Sequence, residues 1–409
     1  MLIKIAVIAV VTIVFLYELF LTYLKLRSAK NPVPECVSDV YDAETYAKRQ
    51  AYNAEKCRLS FWSKTAAFIV DLALLIPNTY VAFASLFPKD LWSQMISVFV
   101  LSAIGSLFTL PFTYYDTMVI EGKYGFNRTS KKTFIADAIK GVLLQFILMF
   151  VIGMLLLLFH QSIGDWIIVA FAAAMTLILL FIVFLYPVLS RISNKFTPLE
   201  DGELKERLTA LLEKNGYKVR AIQVMDASRR TTKSNAYFAG FGKMKTIVLF
   251  VNLIQTMTTD EIVAVFAHEL GHGLHKDTLR NQILTFVQML IIAVLAWFTL
   301  RTPEFFTSFG FEGINYGFAV VLIMSAEFAL FMPLFGLIVN AFSRRAEYRA
   351  DAHAVQEGCG NDLINGLKKL ARENYSDLAP SRLLVKLTYS HPTLAERIEA
   401  IQKSGQKGA

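Results

Sequence analysis

Residues 91–115 read LWSQMISVFVLSAIGSLFTLPFTYY, a stretch without a single charged side chain. A helix needs about 20 mostly apolar residues to cross the hydrocarbon core of a bilayer, so this stretch predicts a transmembrane span. Three further charge-free stretches, at 141–164, 166–190 and 281–300, predict spans for the same reason. Three more candidates carry one acidic residue each: 5–24 with Glu18, 65–88 with Asp71, and 317–342 with Glu327. We therefore predict an α-helical membrane protein with seven spans.

The composition of the whole chain agrees with this prediction. Of its 409 residues, 55% are hydrophobic and only 18% are charged, whereas an ordinary soluble domain carries about 25% charged residues. These proportions exclude a water-soluble globule and a disordered chain. The three cysteines are widely separated and form no Cys-x-x-Cys, which excludes a disulfide framework and a Cys-ligated zinc site. The formal charge of +8 is not gathered into one stripe, so we expect the lipid bilayer as a partner and no nucleic acid.

The distribution of lysine and arginine predicts the orientation. These residues are concentrated between spans one and two and between spans three and four, and the opposite loops are poor in them. The positive-inside rule then puts the polar segments in the cytoplasm. We expect four parts: five spans in 1–190, the first part of a cytoplasmic domain in 191–280, spans six and seven in 281–342, and the second part of that domain in 343–409.

The two cytoplasmic segments predict a small α+β unit. Residues 203–214 are patterned as an amphipathic helix, residues 221–226 as a strand, and residues 235–251 as a hairpin. Thr258-x-x-Glu261 is a capping box that opens a helix to about residue 275. Helical pattern also continues through 343–357 and resumes after His391-Pro392-Thr393.

Four acidic residues lie within or beside the spans, where they cannot face lipid. They either pair locally or line a water-filled interior, and the sequence leaves both alternatives open. The residues are Glu18, Asp71, Asp116 and Glu327.

The predicted capped helix contains His268-Glu269-Leu270-Gly271-His272. Residues four apart lie on one face of a helix, so both imidazoles can bind the same Zn²⁺, with Glu269 beside it as general base. A catalytic zinc takes three protein ligands and keeps a fourth position for water. Candidates for the third ligand are His353, His391 or a carboxylate. Two acids are spaced i, i+4 on the helix that leaves span seven, Glu347 and Asp351, so that one can bind the metal and the next can hold an imidazole N–H.

Several motifs, spread over residues 115 to 400, resemble the type I CAAX prenyl endopeptidases, which are multispanning zinc metalloproteases. Beside the His-Glu-x-x-His sequence, they comprise Asn340-x-x-Ser343-Arg344-x-x-Glu347-x-x-Ala350-Asp351, Ser234-Asn235-Ala236-Tyr237-Phe238, Asn194-Lys195-Phe196-Thr197-Pro198-Leu199, Ile120-Glu121-x-Lys123-x-Gly125-Phe126-Asn127, and His391-Pro392-Thr393 followed by Glu396-Arg397. The resemblance implies seven helices that enclose an intramembrane chamber, capped by a zincin-like cytoplasmic metalloprotease domain.

The resemblance also implies roles for individual residues. One Zn²⁺ per chain would be held by His268, His272 and Glu347, with Glu269 as the general base. The residues that would support these ligands are Asp351, Asn340 and Arg344. The tetrahedral intermediate would be stabilised by His391, with Arg397 nearby. The substrate backbone would bind as an added strand along Asn235, Ala236 and Tyr237.

The substrates that the resemblance implies are C-terminal Cys-a-a-X peptides that carry a prenyl thioether. We weigh two alternatives: a quality-control protease that clears misfolded or translocon-jammed membrane proteins without a prenyl group, and a chamber protein that binds lipid or solute around a structural zinc. The chain ends at Ala409 without an endoplasmic-reticulum retrieval signal. We therefore expect the bacterial inner membrane, with the endoplasmic reticulum as the alternative.

Overall fold

The computed structural model describes residues 1–163, 166, 169–170, 172–181, 195–226, 236–239 and 246–408, and of these it describes only the backbone at 148–149, 152–163, 236–239 and 407–408. Long apolar helices form a membrane bundle, and a small α+β lobe lies at one end of it. The longer helices are α1 (Leu2–Ser28), α2 (Ala43–Leu75), α3 (Leu91–Tyr114), α4 (Lys131–Ile163), α5 (Ala172–Phe181), α6 (Glu203–Lys214), α7 (Thr259–Leu274), α8 (Asp277–Arg301), α9 (Tyr316–Gln356), α10 (Gly360–Glu373), α11 (Arg382–Thr388) and α12 (Leu394–Gly408). Shorter helical segments are Glu35–Val37, Thr79–Ala84, Glu121–Lys123, Val251–Thr256 and Glu304–Thr307.

Within the described residues, four helices are long and apolar enough to cross a membrane: α1, α3 with its continuation to Lys123, α8 and α9. They coincide with four of the predicted spans, and α4 covers a fifth, 141–164, up to Ile163. Helix α5 lies inside the predicted span 166–190, of which residues 167–168, 171 and 182–190 fall outside the described residues. Helix α9 runs without a break from its predicted span into the polar lobe, with a π-helical turn at Ile323–Glu327.

The prediction of one continuous helix over 65–88 is wrong. Helix α2 begins at Ala43, where the Asp42 side chain accepts a hydrogen bond from the backbone N–H of Thr45, and it ends at Leu75. Pro77 has no N–H to continue the helix, and Asn78 adopts a left-handed conformation with φ 56°. The Lys4 ammonium donates to the Ile76 carbonyl at 2.7 Å, so α1 caps the end of α2.

Three of the four acidic groups in the spans pair locally. The Glu18 carboxylate lies 2.7 Å from the Lys64 ammonium, and Asp116 lies 2.6 Å from Lys56. The hydroxyl of Thr299 donates to the Glu327 carboxylate at 2.6 Å. Of the two alternatives that the sequence left open, local pairing is therefore the one observed at these three positions.

The lobe contains a four-stranded sheet in the order β1-β2-β4-β3, formed by β1 (Lys195–Pro198), β2 (Ala221–Asp226), β3 (Ala236–Ala239) and β4 (Thr246–Phe250). Strands β2 and β4 are parallel, and the other two pairs are antiparallel. The predicted strand and the antiparallel pairing of the predicted hairpin are confirmed, whereas the predicted turn at 242–245 lies outside the described residues and β1 was not predicted. Because β3 lies at the edge of the sheet, one side of its backbone has no strand partner within the described residues.

Buried apolar residues of α7 form the core of the lobe together with α6, β4 and α10. The lobe is attached to the bundle by an ion pair between Arg49 of α2 and Asp377, at 3.2 Å, in which both side chains are almost fully buried. An ion pair of this kind is specific in geometry because neither charge can be left without its partner. The membrane bundle therefore fixes the position of the segment that precedes α11.

Candidate metal centre

Helix α7 presents the two histidines of the His-Glu-x-x-His sequence. Its start is fixed by the predicted capping box: Glu261 accepts from the backbone N–H of Thr258 at 2.8 Å, and the Thr258 hydroxyl accepts from the N–H of Glu261 at 3.3 Å. The rings of His268 and His272 lie on one face, with centroids 4.8 Å apart. The helix predicted over 258–275 is thus confirmed, with its cap.

Glu347 of α9 meets both imidazoles. Its carboxylate oxygens lie 3.5 Å from Nε2 of His268 and 3.3 Å from Nε2 of His272. The ligand atoms of the three side chains lie within 4.8 Å of one another. Oxygen Oε2 of Glu347 is buried and has no hydrogen-bond partner among the described residues. A buried oxygen without a hydrogen bond beside two imidazole nitrogens fits a metal ion, which would be its missing partner.

Hydrogen bonds behind the histidines orient their rings. Nδ1 of His268 lies 2.9 Å from the Asp351 carboxylate, and Nδ1 of His272 lies 2.9 Å from the Asp277 carboxylate. When the proton is on Nδ1, each ring donates to its carboxylate and turns the Nε2 lone pair toward the metal position. Asp351 therefore lies where the i, i+4 spacing from Glu347 suggested.

The sequence did not predict Asp277 as a residue of the site. Lys276 adopts a left-handed conformation with φ 55°, which ends α7 and reverses the chain into α8. This turn brings the buried Asp277 back to His272, where it also binds Arg280 and Arg349 at 3.0 and 2.9 Å. The only sequence signal was an aspartate five residues after the second histidine.

We expect Asp277→Asn to weaken metal binding about 10- to 100-fold, which is the usual cost of losing a carboxylate behind a ligating histidine. Metal affinity is measured by competition with a fluorescent chelator. Arg349→Gln is the matched control, since it removes one ion pair of Asp277 and leaves the bond to His272 intact. Equal metal affinities of Asp277→Asn and the wild type would show that this hydrogen bond does not orient the ligand.

The charges around the site keep the carboxyl groups of Glu347 and Asp351 ionised, whereas they keep a proton on His272. Burial raises the pKa of Glu347, but the hydrogen bond with His272 and the charge of Arg397 together lower it to about 2. Burial also raises the pKa of Asp351, but His268 and Arg397 lower it to about 2. Burial lowers the pKa of His272, but its bonds to Glu347 and Asp277 raise it to about 9. A metal that binds at neutral pH therefore displaces a proton from His272.

Glu269 and His391 lie beside the three converging side chains. Glu269 is half-buried on α7, and its charge acts on both His272 and Arg397. Nε2 of His391 lies 3.3 Å from the Glu347 carboxylate, and its side chain is 62% exposed. In the described part of the chain, the group of potential ligands that converges is His268, His272 and Glu347, without His391. Three ligands leave a coordination position open, as in catalytic sites.

Two arginines fix the segments around these groups. Arg397 binds Asp351 through two nitrogens, at 2.9 and 2.6 Å. Arg344 donates to the Tyr389 carbonyl at 2.6 Å and the Val385 carbonyl at 3.4 Å. Arg344 thus holds the end of α11 rather than a histidine, while Asn340 lies half-buried two turns before Glu347 on α9.

The remaining predicted residues lie at different places. Asn235 falls outside the described residues, whereas Ala236 and Tyr237 belong to the edge strand β3. His353, one of the candidates for the third ligand, is buried where α9 packs on α7 and is not in the converging group.

Gly271 sets the distance between the two helices that carry the ligands. A Cβ built at this position would lie 2.9 Å from the Ala350 Cα and 3.1 Å from the His353 Cβ. Backbone contacts of this kind cannot be relieved by a side-chain rotation. The sequence between the two histidines is therefore constrained by packing as well as by the metal site.

We expect Gly271→Ala to lower stability by about 1–3 kcal/mol, the usual cost of overpacking, and to weaken metal binding by moving α9 away. The melting temperature and the metal content of the purified protein are measured together. Gly105→Ala is the matched control because a Cβ at position 105 meets nothing within 4 Å, and it should be neutral or slightly stabilising. Unchanged stability of Gly271→Ala would contradict the close approach.

Two family models match the chain. One describes the CAAX prenyl protease N-terminal region with five membrane helices and matches residues 22–191. The other describes peptidase family M48 and matches residues 198–404. The two matches together include all the predicted site residues.

Named relatives are similar to the chain over nearly its whole length. CAAX prenyl protease 1 homolog of Arabidopsis thaliana is 33% identical and covers 98% of both chains. CAAX prenyl protease 1 of Saccharomyces cerevisiae is 31% identical, over 96% of this chain and 94% of that protein. The crystal structure of S. mikatae Ste24p superposes with a TM-score of 0.90 at 29% identity, covering 97% of this chain and 98% of that one.

Proposed function

The chain belongs to peptidase family M48, and from this premise we propose that it is a membrane zinc endopeptidase that removes the last three residues from prenylated C-terminal Cys-a-a-X peptides. That it is a multi-pass membrane metalloendopeptidase follows from the family and from the apolar helices. The metal, the roles of the residues and the substrate are the parts that we propose.

The convergence of His268, His272 and Glu347 carries the proposal. Two imidazole nitrogens and one carboxylate form a donor set that suits zinc, and three ligands are typical of catalytic rather than structural zinc sites. A structural zinc in a lipid-binding chamber would require a fourth protein ligand. His391 is the nearest candidate for that ligand, but its side chain is largely exposed and lies outside the converging group.

The side chains around the metal position supply the acid–base chemistry. A zinc ion held by His268, His272 and Glu347 would supply a Lewis acid for the attacking water and the scissile carbonyl. Glu269 accepts the proton of that water and then delivers it to the leaving amine. His391 donates a hydrogen bond to the oxyanion, and Arg397 keeps Asp351 ionised and in place behind His268.

Edge strand β3 is the proposed binding surface for the substrate backbone. It is antiparallel to β4, and its other side has no strand partner within the described residues. A peptide in extended conformation can add to such an edge by main-chain hydrogen bonds. The resemblance assigns this contact to Asn235, Ala236 and Tyr237.

The prenyl group is proposed from the relatives, whose names are CAAX prenyl protease 1. A metal site next to the membrane bundle could cleave the peptide while the prenyl chain remains out of water. We also propose that the active site faces the cytoplasm, because the lysine and arginine residues of the long loops favour that side.

The test is cleavage of a farnesylated Cys-a-a-X peptide by the purified, zinc-loaded protein, with the released tripeptide identified by mass. The same peptide without the farnesyl group is the matched control. Release from the farnesylated peptide alone supports the proposal. Equal release from both would favour the quality-control protease, and release from neither, with zinc bound, would contradict the proposed substrate class.

A further inference from the structure

A pocket of about 290 Å³ lies between α1, α2 and α11, at the junction of the bundle and the lobe. Its wall includes three lysines from the bundle and Tyr389 from the lobe: Lys25, Lys56, Lys64 and Tyr389. Since one water occupies about 30 Å³ in the liquid, the pocket has room for a residue-sized group. The wall also includes the carboxylate of Glu18, and three ammonium groups against one carboxylate predict an anionic ligand.

The three lysines differ in their partners. Lys56 contacts Asp116 and Glu121, at 2.6 and 3.1 Å, and Lys64 contacts Glu18 at 2.7 Å. Lys25, by contrast, has no ion-pair partner among the described residues. The charges of Lys25 and Lys64 both act on the buried thiol of Cys57 at the pocket wall. One cation is therefore available for a ligand in a pocket whose other cations are already paired.

The pocket is tied to the catalytic groups by the chain itself. Tyr389 precedes His391 by two residues, so their Cα atoms are at most about 7 Å apart. The Tyr389 carbonyl is held at 2.6 Å by Arg344, which lies one turn before Glu347 on α9. The wall formed by Tyr389 is thus at a fixed position relative to His391, which lies 3.3 Å from Glu347.

We propose that Lys25 binds the α-carboxylate at the C-terminus of the peptide substrate. This inference rests on the proposed function, in which three residues follow the cleaved bond. Three extended residues span about 10 Å, and Tyr389 of the pocket wall lies within about 7 Å of His391, Cα to Cα. A lysine that binds this carboxylate favours a cut three residues before the chain end.

The carboxylate of a peptide fits this position better than the phosphate of a lipid. The pocket wall includes α11 and Tyr389 of the peptidase lobe, and Tyr389 precedes His391 by two residues. A terminal carboxylate also carries one negative charge, which matches the single unpaired lysine. The contribution of Lys25 is a charge-assisted hydrogen bond.

The experiment measures binding without hydrolysis. Two fluorescent farnesylated Cys-a-a-X peptides, one ending in a free carboxylate and one in a carboxamide, are titrated into zinc-loaded Glu269→Gln protein. We expect the carboxylate form to bind roughly tenfold more tightly, as one charge-assisted hydrogen bond allows. Adding Lys25→Gln should remove this difference, and Lys25→Arg should keep most of it. Lys48→Gln, which removes an exposed lysine of α2 outside the pocket, should keep all of it.

Equal affinities for the two peptides, or a preference that survives Lys25→Gln, would overturn the assignment of Lys25. Cleavage by the wild type tests the proposed function separately. A wild type that cleaves both peptides with equal kcat/KM keeps the proposed function and overturns the role of Lys25. A wild type that cleaves neither, while the variant binds the carboxylate form more tightly, keeps Lys25 as a carboxylate site and overturns the proposed reaction.

Discussion

Glu269→Gln should lower the rate of peptide cleavage by about 10³-fold and leave one zinc ion per chain. The amide has the shape of the carboxylate but cannot accept a proton, and a positioned general base contributes 10²- to 10⁴-fold to the rate. Glu269 lies on α7 between the two histidines but is not part of the converging ligand group. The metal should therefore remain while catalysis is lost. Cleavage of the farnesylated peptide and zinc content by mass spectrometry are measured on the same preparation.

Asp260→Asn is the matched control for Glu269→Gln, because it makes the same chemical change in the first turn of the same helix, at an exposed position. It should keep the activity within a factor of about two, as exposed substitutions change stability little. If Glu269→Gln retained more than a tenth of the wild-type activity, the general base would be another residue. Loss of zinc from Glu269→Gln would instead place Glu269 in the ligand set.

The features that the sequence predicted depend on neighbouring residues. The capping box uses Thr258 and Glu261, which are three residues apart, and both of its hydrogen bonds are present. The strands β3 and β4, which are close in the sequence, pair in the antiparallel direction. The membrane helices follow from runs of apolar residues that need no distant partner. In each case the physical cause lies within about 25 residues of the element that it produces.

The contacts that the sequence could not provide join distant segments. Glu347 lies 75 residues after His272, beyond two membrane helices, so residue spacing alone left the third ligand open among histidines and a carboxylate. The resemblance, not the spacing, selected Glu347. The contact of Arg344 with Tyr389 spans 45 residues and is likewise absent from any local pattern. The contact exists because α9 and α11 lie side by side in the folded chain.

Other differences between sequence and structure arise from single residues in turns. The apolar run 65–88 continues through Pro77 and Asn78, so hydropathy alone does not reveal that α2 ends at Leu75. At the metal centre, the left-handed backbone of Lys276 reverses the chain, so that Asp277 lies beside His272. Hydropathy does not reveal this turn either. A non-glycine residue with positive φ is uncommon, and nothing in the lysine side chain predicts one. Asp277 was missed for this reason.

Glu347→Gln should remove the metal and, with it, all measurable cleavage. Glu347 supplies the only carboxylate in the converging group, so its loss leaves two imidazoles to hold the metal. The loss of metal affinity should exceed roughly 100-fold, which is the cost of removing a hydrogen-bond partner of a metal ligand. The guanidinium of Arg397 lies 3.4 Å from Glu347. In the variant, one carboxylate fewer would balance the positive charge of Arg397 beside the two histidines. We therefore expect a lower melting temperature as well as a metal content near zero after dialysis.

Glu357→Gln is the matched control for Glu347→Gln, since Glu357 follows α9 directly and its carboxylate is similarly buried but binds Lys214 at 2.7 Å. It should lose some stability and keep one zinc ion per chain. If Glu347→Gln also kept a full zinc ion with wild-type affinity, the third ligand would be another residue, and His391, at 3.3 Å from the Glu347 carboxylate, would be the first to replace by alanine. Loss of zinc from His391→Ala would then identify His391 as the third ligand, and three histidines would still leave one position free for water.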